Sequence, residues 1–145
     1  MIEIYTDASV CDNNMVATCF ILTDTNFIGH NVIKKSNVST SLEAEMEGAI
    51  AALEYAVSCN HVQHAKLYCD SISLLRLTQT NLAKTKNKQA LLHLDRLLVL
   101  QRLLKVYDVT MELIQGHSKN HNPNKVVDLI SNSVLRYNTK VGGSV

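Results

Sequence analysis

The sequence predicts an α/β fold: a five-stranded mixed sheet, built from a three-stranded antiparallel meander and two parallel strands, with helices on its faces. Three observations predict it. The elements read in the order β β β α β α α β α, from the switching of apolar periodicity between 2 and 3.6 residues. Two short strands, Ile2-Glu3-Ile4-Tyr5-Thr6-Asp7-Ala8-Ser9 and Ala65-Lys66-Leu67-Tyr68-Cys69-Asp70-Ser71, each close on an aspartate followed by a small residue. Between them lies an amphipathic helix with acids in its first turns, the arrangement of a right-handed crossover that joins parallel strands and covers the sheet.

The first strand alternates, with Ile2, Ile4 and Thr6 on one face and Glu3, Tyr5 and Asp7 on the other. It brings Asp7 to its C-terminal end, where Ala8-Ser9 starts to leave the sheet. Cys11-Asp12-Asn13-Asn14 reads as a turn, Met15 to Thr23 as a central strand, Asp24-Thr25-Asn26 as a second turn and Phe27 to Lys35 as a third strand. Ser36 to Ser39 is a loop. Thr40 starts a helix that runs to about Cys59: Thr40 and Glu43 have capping-box spacing, and Met46, Ile50, Leu53 and Val57 form a core-facing stripe. Glu45 lies beside that stripe, whereas Glu43 and Glu47 point about 160–200° away at ~100° per residue. The strand ending at Asp70 follows, then a short helix from Ser71 to Thr80 with Ile72, Leu75 and Leu77 inward. Asn81 to Asn87 is a basic connection, Lys88 to Lys105 one long leucine-rich helix, and Val106 to Gln115 the last strand, ended by Gly116. After a polar loop from His117 to Asn122, Pro123 sits near the start of a final helix carrying Val126, Val127, Leu129, Ile130 and Val134, with Asp128 embedded among them. Residues 138–145 read as a frayed tail of a single domain spanning 1–145.

The 145 residues suit one domain, and 46% hydrophobic content suffices for a core. No apolar run approaches the ~18–20 residues that span a bilayer. The N-terminus has no signal-peptide pattern and runs straight into a strand, which predicts a cytoplasmic protein without membrane association. Cys11, Cys19, Cys59 and Cys69 lack C-x-x-C spacing, which argues against a zinc site or a redox pair. Net charge is only +1, but it is unevenly placed: from Lys84 to Lys105 six basic residues face Asp95 alone, so that segment carries +5 and the rest −4. This is either a solvated helix face or a seat for a polyanion held away from working carboxylates.

If the two aspartate-bearing strands are parallel neighbours, Asp7 and Asp70 sit side by side, where they repel unless a cation holds them. Glu45 from the crossover helix and Asp128 from the last helix share that address, with Glu43 and Glu47 as rivals to Glu45. Hard oxygen ligands of this kind suit Mg²⁺ or Mn²⁺.

The motifs Tyr5-Thr6-Asp7-Ala8-Ser9, Glu45-Met46-Glu47-Gly48-Ala49-Ile50-Ala51-Ala52-Leu53-Glu54, Cys69-Asp70-Ser71, Gly116-His117-Ser118 and Asn124-Lys125-Val126-Val127-Asp128 occur in order along nearly the whole chain. In this the chain resembles the type 1 ribonuclease H family. The resemblance implies a ribonuclease H-like sheet and an endonuclease that cuts the RNA strand of RNA–DNA hybrids, leaving 3′-hydroxyl and 5′-phosphate ends. It implies a two-metal mechanism in which Asp7, Glu45, Asp70 and Asp128 hold two Mg²⁺ ions, replaceable by Mn²⁺. It selects Glu45 over its neighbours, matches His117 to the family's mobile loop histidine, with His121 as its rival, and matches Asn124 to the active-site rim. Ser9, Thr40, Ser41 and Ser71 become candidates for contacts to 2′-hydroxyls or phosphates. Lys84, Lys86 and Lys88 stand in for part of the tryptophan-bearing basic handle of some members, as the chain has no Trp. The family's glycine-rich turn after the first strand is replaced by Cys11-Asp12-Asn13-Asn14, Ala8 stands where many members have Gly, and a separate hybrid-binding domain ahead of the first strand is not expected. The expected partner is an RNA–DNA hybrid and the expected state a monomer. Alternatives from other classes are a structure-specific DNA nuclease of the same fold and a non-catalytic nucleic-acid-binding module. The complete acid set disfavours the second.

Overall fold

The computed structural model describes residues 1–24 and 26–114. The expected last helix lies outside the described residues, and with it His117, His121, Asn124 and Asp128. Within them the chain forms β1 (Glu3–Cys11), β2 (Asn14–Leu22), β3 (Phe27–Ser36), α1 (Ser41–Ser58), β4 (Lys66–Cys69), α2 (Ile72–Thr78), α3 (Lys88–Leu92), α4 (Leu94–Val106) and β5 (Thr110–Leu113). The five strands make one mixed sheet in the order β3-β2-β1-β4-β5. β3, β2 and β1 are antiparallel, while β1, β4 and β5 run parallel.

Asp12 and Asn13 close the β1–β2 hairpin, both at positive φ (52° and 62°), with Cys11 paired to Asn14. A two-residue hairpin loop needs left-handed backbone to match strand twist, and Asp and Asn tolerate it better than other non-glycine residues. The missing glycine-rich turn is thereby replaced. Because β2 pairs with β1 as far as Cys11, β1 is longer than expected and Asp7 lies inside it. The sequence reading had placed Asp7 at the strand's end. It is the β4 pairing that stops early, at Tyr5↔Tyr68.

α1, α2 and α4 pack on one face of the sheet around Ile4, Ile21, Leu53, Leu67, Leu97 and Leu100. α1 comes closest at Gly48, where a Cβ would lie 3.3 Å from both the Ala17 Cβ and the Thr6 Oγ1. The opposite face carries Tyr5, Phe20 and Ile114, with Tyr5 stacked on Phe20 and Tyr68 at centroid distances of 5.4 and 5.0 Å. The alternation along β1 is thus as the sequence predicts.

Three further elements differ from the sequence-based expectation. The long helix breaks at His93 (φ −111°, ψ 25°), which caps both α3 and α4. Leu97 N–H returns to the His93 carbonyl at 2.9 Å, starting a new helix. Leucine periodicity reports helical preference, but a break needs only one residue to leave the helical region. Leu91, Leu92 and Leu98 are exposed, and Leu97 and Leu100 are buried. The last strand is shorter, because α4 runs on to Val106 and Asp108, at φ 53°, turns the chain before Thr110. In α2 the buried residues are Leu74 and Leu77, while Ile72 is 48% exposed. Ser71 caps this helix through the Leu74 N–H, which puts Ile72 in the first turn, turned to solvent.

Candidate active site

Asp7 lies two residues beyond the last β1–β4 pair, and Asp70 directly follows the last residue of β4. Each strand therefore presents a carboxylate where their parallel pairing gives out. Glu45 is the fifth residue of α1, whose close seat on β1 at Gly48, three residues on, brings that turn over the strands. One carboxylate oxygen from each of Asp7, Glu45 and Asp70 lies within 4.8 Å of the others. The Asp7 Oδ1 accepts the Ala8 N–H at 3.0 Å. Glu45 is 8% exposed, and its Oε2 is buried with no hydrogen-bond partner among the described residues. Burial above all, then the charges of Asp70 and Asp7, push its pKa up to about 8, against a smaller opposing pull from the Ala8 amide. Burial also raises the neighbouring Cys69 thiol to about 11, with Glu45 and Asp70 adding to it.

This donor set fits a hard divalent cation. Three carboxylates converge, one is buried with an idle oxygen, and the group held in its neutral form is the one a cation would most readily ionise. Asp128, the expected fourth member, lies outside the described residues.

The rivals of Glu45 have other partners. Glu43 closes the start of α1: its amide donates to the Thr40 hydroxyl at 3.1 Å, and its carboxylate accepts the Ser39 and Thr40 hydroxyls. Glu47 is as buried as Glu45 but holds three charge-assisted bonds, from Arg96 Nε (2.6 Å), Arg96 Nη2 (2.8 Å) and Lys35 Nζ (2.9 Å). Burial would raise its pKa; the bonds from Arg96 and Lys35 outweigh this and hold it below the usual carboxylate value. Two acids two residues apart on one helix therefore stand in opposite electrostatic states.

Thr40 and Ser71 cap α1 and α2 through their hydroxyls. Ser41 is the exposed first residue of α1, and Ser9 is exposed on β1. Thr40 also borders a groove of about 480 Å³, lined further by Leu42, Ser73, Arg76, Leu77, Thr80, Asn87 and Gln89. The sequence reading missed Arg76, since nothing local marks a lone arginine on a short helix as facing a groove shared with α1 and α3. Lys84, Lys86 and Lys88 are exposed around the start of α3, and among the described residues none forms an ion pair. No helix among the described residues is long and apolar enough to cross a membrane.

Comparison with known proteins agrees with this fold. The model of the family described as RNase H matches residues 1–136. A search of the curated proteins finds no match. Among solved structures, RNase H1 from the archaeon Halobacterium salinarum is similar with a TM-score of 0.65 at 18% identity, over 78% of this chain and 84% of that one. The N-terminal RNase H domain of a Mycobacterium tuberculosis protein is similar with a TM-score of 0.62 at 17% identity, over 92% and 97%. LC11-RNase H1, solved in complex with an RNA/DNA hybrid, is similar with a TM-score of 0.62 at 19% identity, over 79% and 85%. At these identities the structural likeness speaks for the fold.

Proposed function

The chain belongs to the RNase H family, and we propose that it hydrolyses the RNA strand of RNA–DNA hybrids with divalent cations held by Asp7, Glu45, Asp70 and Asp128. The observation that carries this reading is the convergence of Asp7, Glu45 and Asp70 to within 4.8 Å, with a Glu45 oxygen buried and idle. We take the ions to be two Mg²⁺, with Mn²⁺ able to replace them. When bound they supply the Lewis acidity that activates a water and stabilises the leaving 3′-oxygen, giving 3′-hydroxyl and 5′-phosphate ends.

The chain's own residues do the rest. Asp7 is oriented by the Ala8 amide. Glu45, anchored in the packed second turn of α1, loses its proton as the site fills. His117 is assigned the proton transfer at the leaving group, for which its unperturbed pKa of about 6.5 is suited. The groove beside Thr40 suits a sugar–phosphate backbone: Arg76 supplies the charge, Ser73 and Thr80 hydroxyls, and Asn87 and Gln89 amides. We assign the groove to the DNA strand, and Lys84, Lys86 and Lys88, where α3 meets it, to the flanking phosphates. Ser9, Ser41, Ser71 and Asn124 are left for 2′-hydroxyl and phosphate contacts near the acids. The protein is proposed to act as a single domain and a monomer.

The test is a cleavage assay on labelled RNA–DNA hybrid, double-stranded RNA, double-stranded DNA and each single strand, with Mg²⁺, Mn²⁺ or EDTA. Cutting of the RNA strand in the hybrid alone, abolished by EDTA, is expected. Preferential cutting of double-stranded DNA, or cutting that survives EDTA, would overturn the proposal.

A further inference from the structure

We propose that Glu47, clamped by Arg96 and Lys35, is a positioning residue that sets the placement of α1 and so aims Glu45 at Asp7 and Asp70. This rests on the metal site proposed above. The clamp joins three elements: Lys35 near the end of β3, Glu47 on α1 and Arg96 early in α4. Glu47 and Arg96 are 49 residues apart in sequence, and the pair is bidentate. The Glu47 side chain is 10% exposed, while Arg96 and Lys35 reach it from the surface, 41% and 47% exposed.

The rest of the α1 seat explains why such a clamp is needed. The helix buries Met46, Ile50 and Leu53 in the core with Ala44, Ala49, Ala52 and Ala56 among them, and it lies so close to the sheet at Gly48 that an added Cβ would meet Ala17 and Ala8. This packing sets how close α1 lies to the sheet. Apolar contact is non-directional, so it resists small slides and rotations of the helix less sharply than a directional bond does. A planar guanidinium gripping a carboxylate from one side, with an ammonium beside it, is directional and tolerates neither. Glu45 lies two residues away on the same helix, so any shift of the Glu47 backbone is passed to it directly. An ion pair whose cations are nearly half exposed adds little net stability, which leaves placement as its distinctive contribution.

The test is Mn²⁺ binding to the full-length chain by titration calorimetry, well below the melting temperature. The variants are Glu47→Gln, Arg96→Met and the double variant Glu47→Met/Arg96→Met. Supporting groups around metal ligands are commonly worth 10–100-fold in affinity, and each single variant is expected to weaken Mn²⁺ binding by roughly 10-fold. Charge alone predicts opposite signs, with Arg96→Met binding the cation more tightly, so tighter binding in Arg96→Met would overturn the proposal. The double variant leaves no unpaired charge on this pair and is expected to melt near the wild type, yet to keep the weakened Mn²⁺ binding. Wild-type Mn²⁺ affinity in the double variant would make the clamp purely structural. The two readings fail separately: if wild type binds no Mn²⁺ that Asp70→Asn abolishes, the metal site itself falls, whereas intact wild-type binding with unaffected clamp variants refutes only the role of Glu47.

Discussion

Replacing Glu45 by Gln should stabilise the metal-free protein, and increasingly so as pH rises. The Glu45 pKa moves from 4.5 to about 8 on folding, through burial and then the charges of Asp70 and Asp7. The folded state therefore holds a proton that the unfolded chain has lost. Stability from this group is complete below pH 4.5, declines as pH rises, and is gone above about 8. At about 1.36 kcal/mol per pKa unit, the full difference is roughly 5 kcal/mol. Gln keeps the shape and the neutral charge at every pH. Its advantage over wild type should grow from about 1 kcal/mol at pH 5 to about 5 kcal/mol at pH 9. Urea denaturation of both proteins in EDTA at pH 5, 7 and 9 measures this directly. Saturating Mg²⁺ or Mn²⁺ should reverse the order, since only wild type keeps the Glu45 carboxylate among the proposed ligands, and binding near pH 7 should release close to one proton. Stability curves for the two proteins that stay parallel from pH 5 to 9 in EDTA would refute the reasoning.

Other perturbations separate the remaining parts of the proposal. Asp70→Asn should abolish hybrid cleavage while leaving hybrid binding and folding nearly intact, and near-wild-type turnover in metal-controlled assays would sink the carboxylate mechanism. Neutralising Lys84, Lys86 and Lys88 together should weaken hybrid binding and flatten its dependence on salt, because fewer counterions are released; an unchanged slope would return these lysines to a solvated surface. His117→Ala should slow turnover about 10²-fold, the low end for general acid–base catalysis, without altering Mn²⁺ affinity. His121→Ala should do much less, and the reverse ranking would reassign the histidine role.

Much of this was legible along the chain because it is local. Alternation in the first strand separates Ile4 and Thr6 from Tyr5, and those side chains do part to the two sheet faces. The aspartates closing two β-runs, with a helix between, were enough to bring Asp7 and Asp70 together with an acid of that helix, since a crossover leaves few other places for them, while the family resemblance was needed to choose Glu45 over Glu43 and Glu47. The missed features involve elements that meet only after folding or single residues that leave a regular conformation. Nothing near Ile72 says whether it or Leu74 turns inward, since the answer depends on where Ser71 caps the helix. The His93 break sits inside a leucine run whose periodicity continues on both sides. Arg76 matters through a groove whose other walls come from α1 and α3.

Glu45 and Glu47 carry the argument furthest. From helical periodicity alone the two point to opposite sides, and the sequence can say no more than that. Folding then gives one of them two cations and the other two aspartates. Glu47 is held ionised, while Glu45 is held neutral until something positive arrives. Had Arg96 reached the other acid, the cluster near Asp7 would have been neutralised by the protein itself and would have had little use for a metal ion. Arg96 and Lys35 bond Glu47 instead. If the proposed metal site is right, its affinity for divalent cations should therefore respond to changes at Glu47 as well as to changes at the ligands.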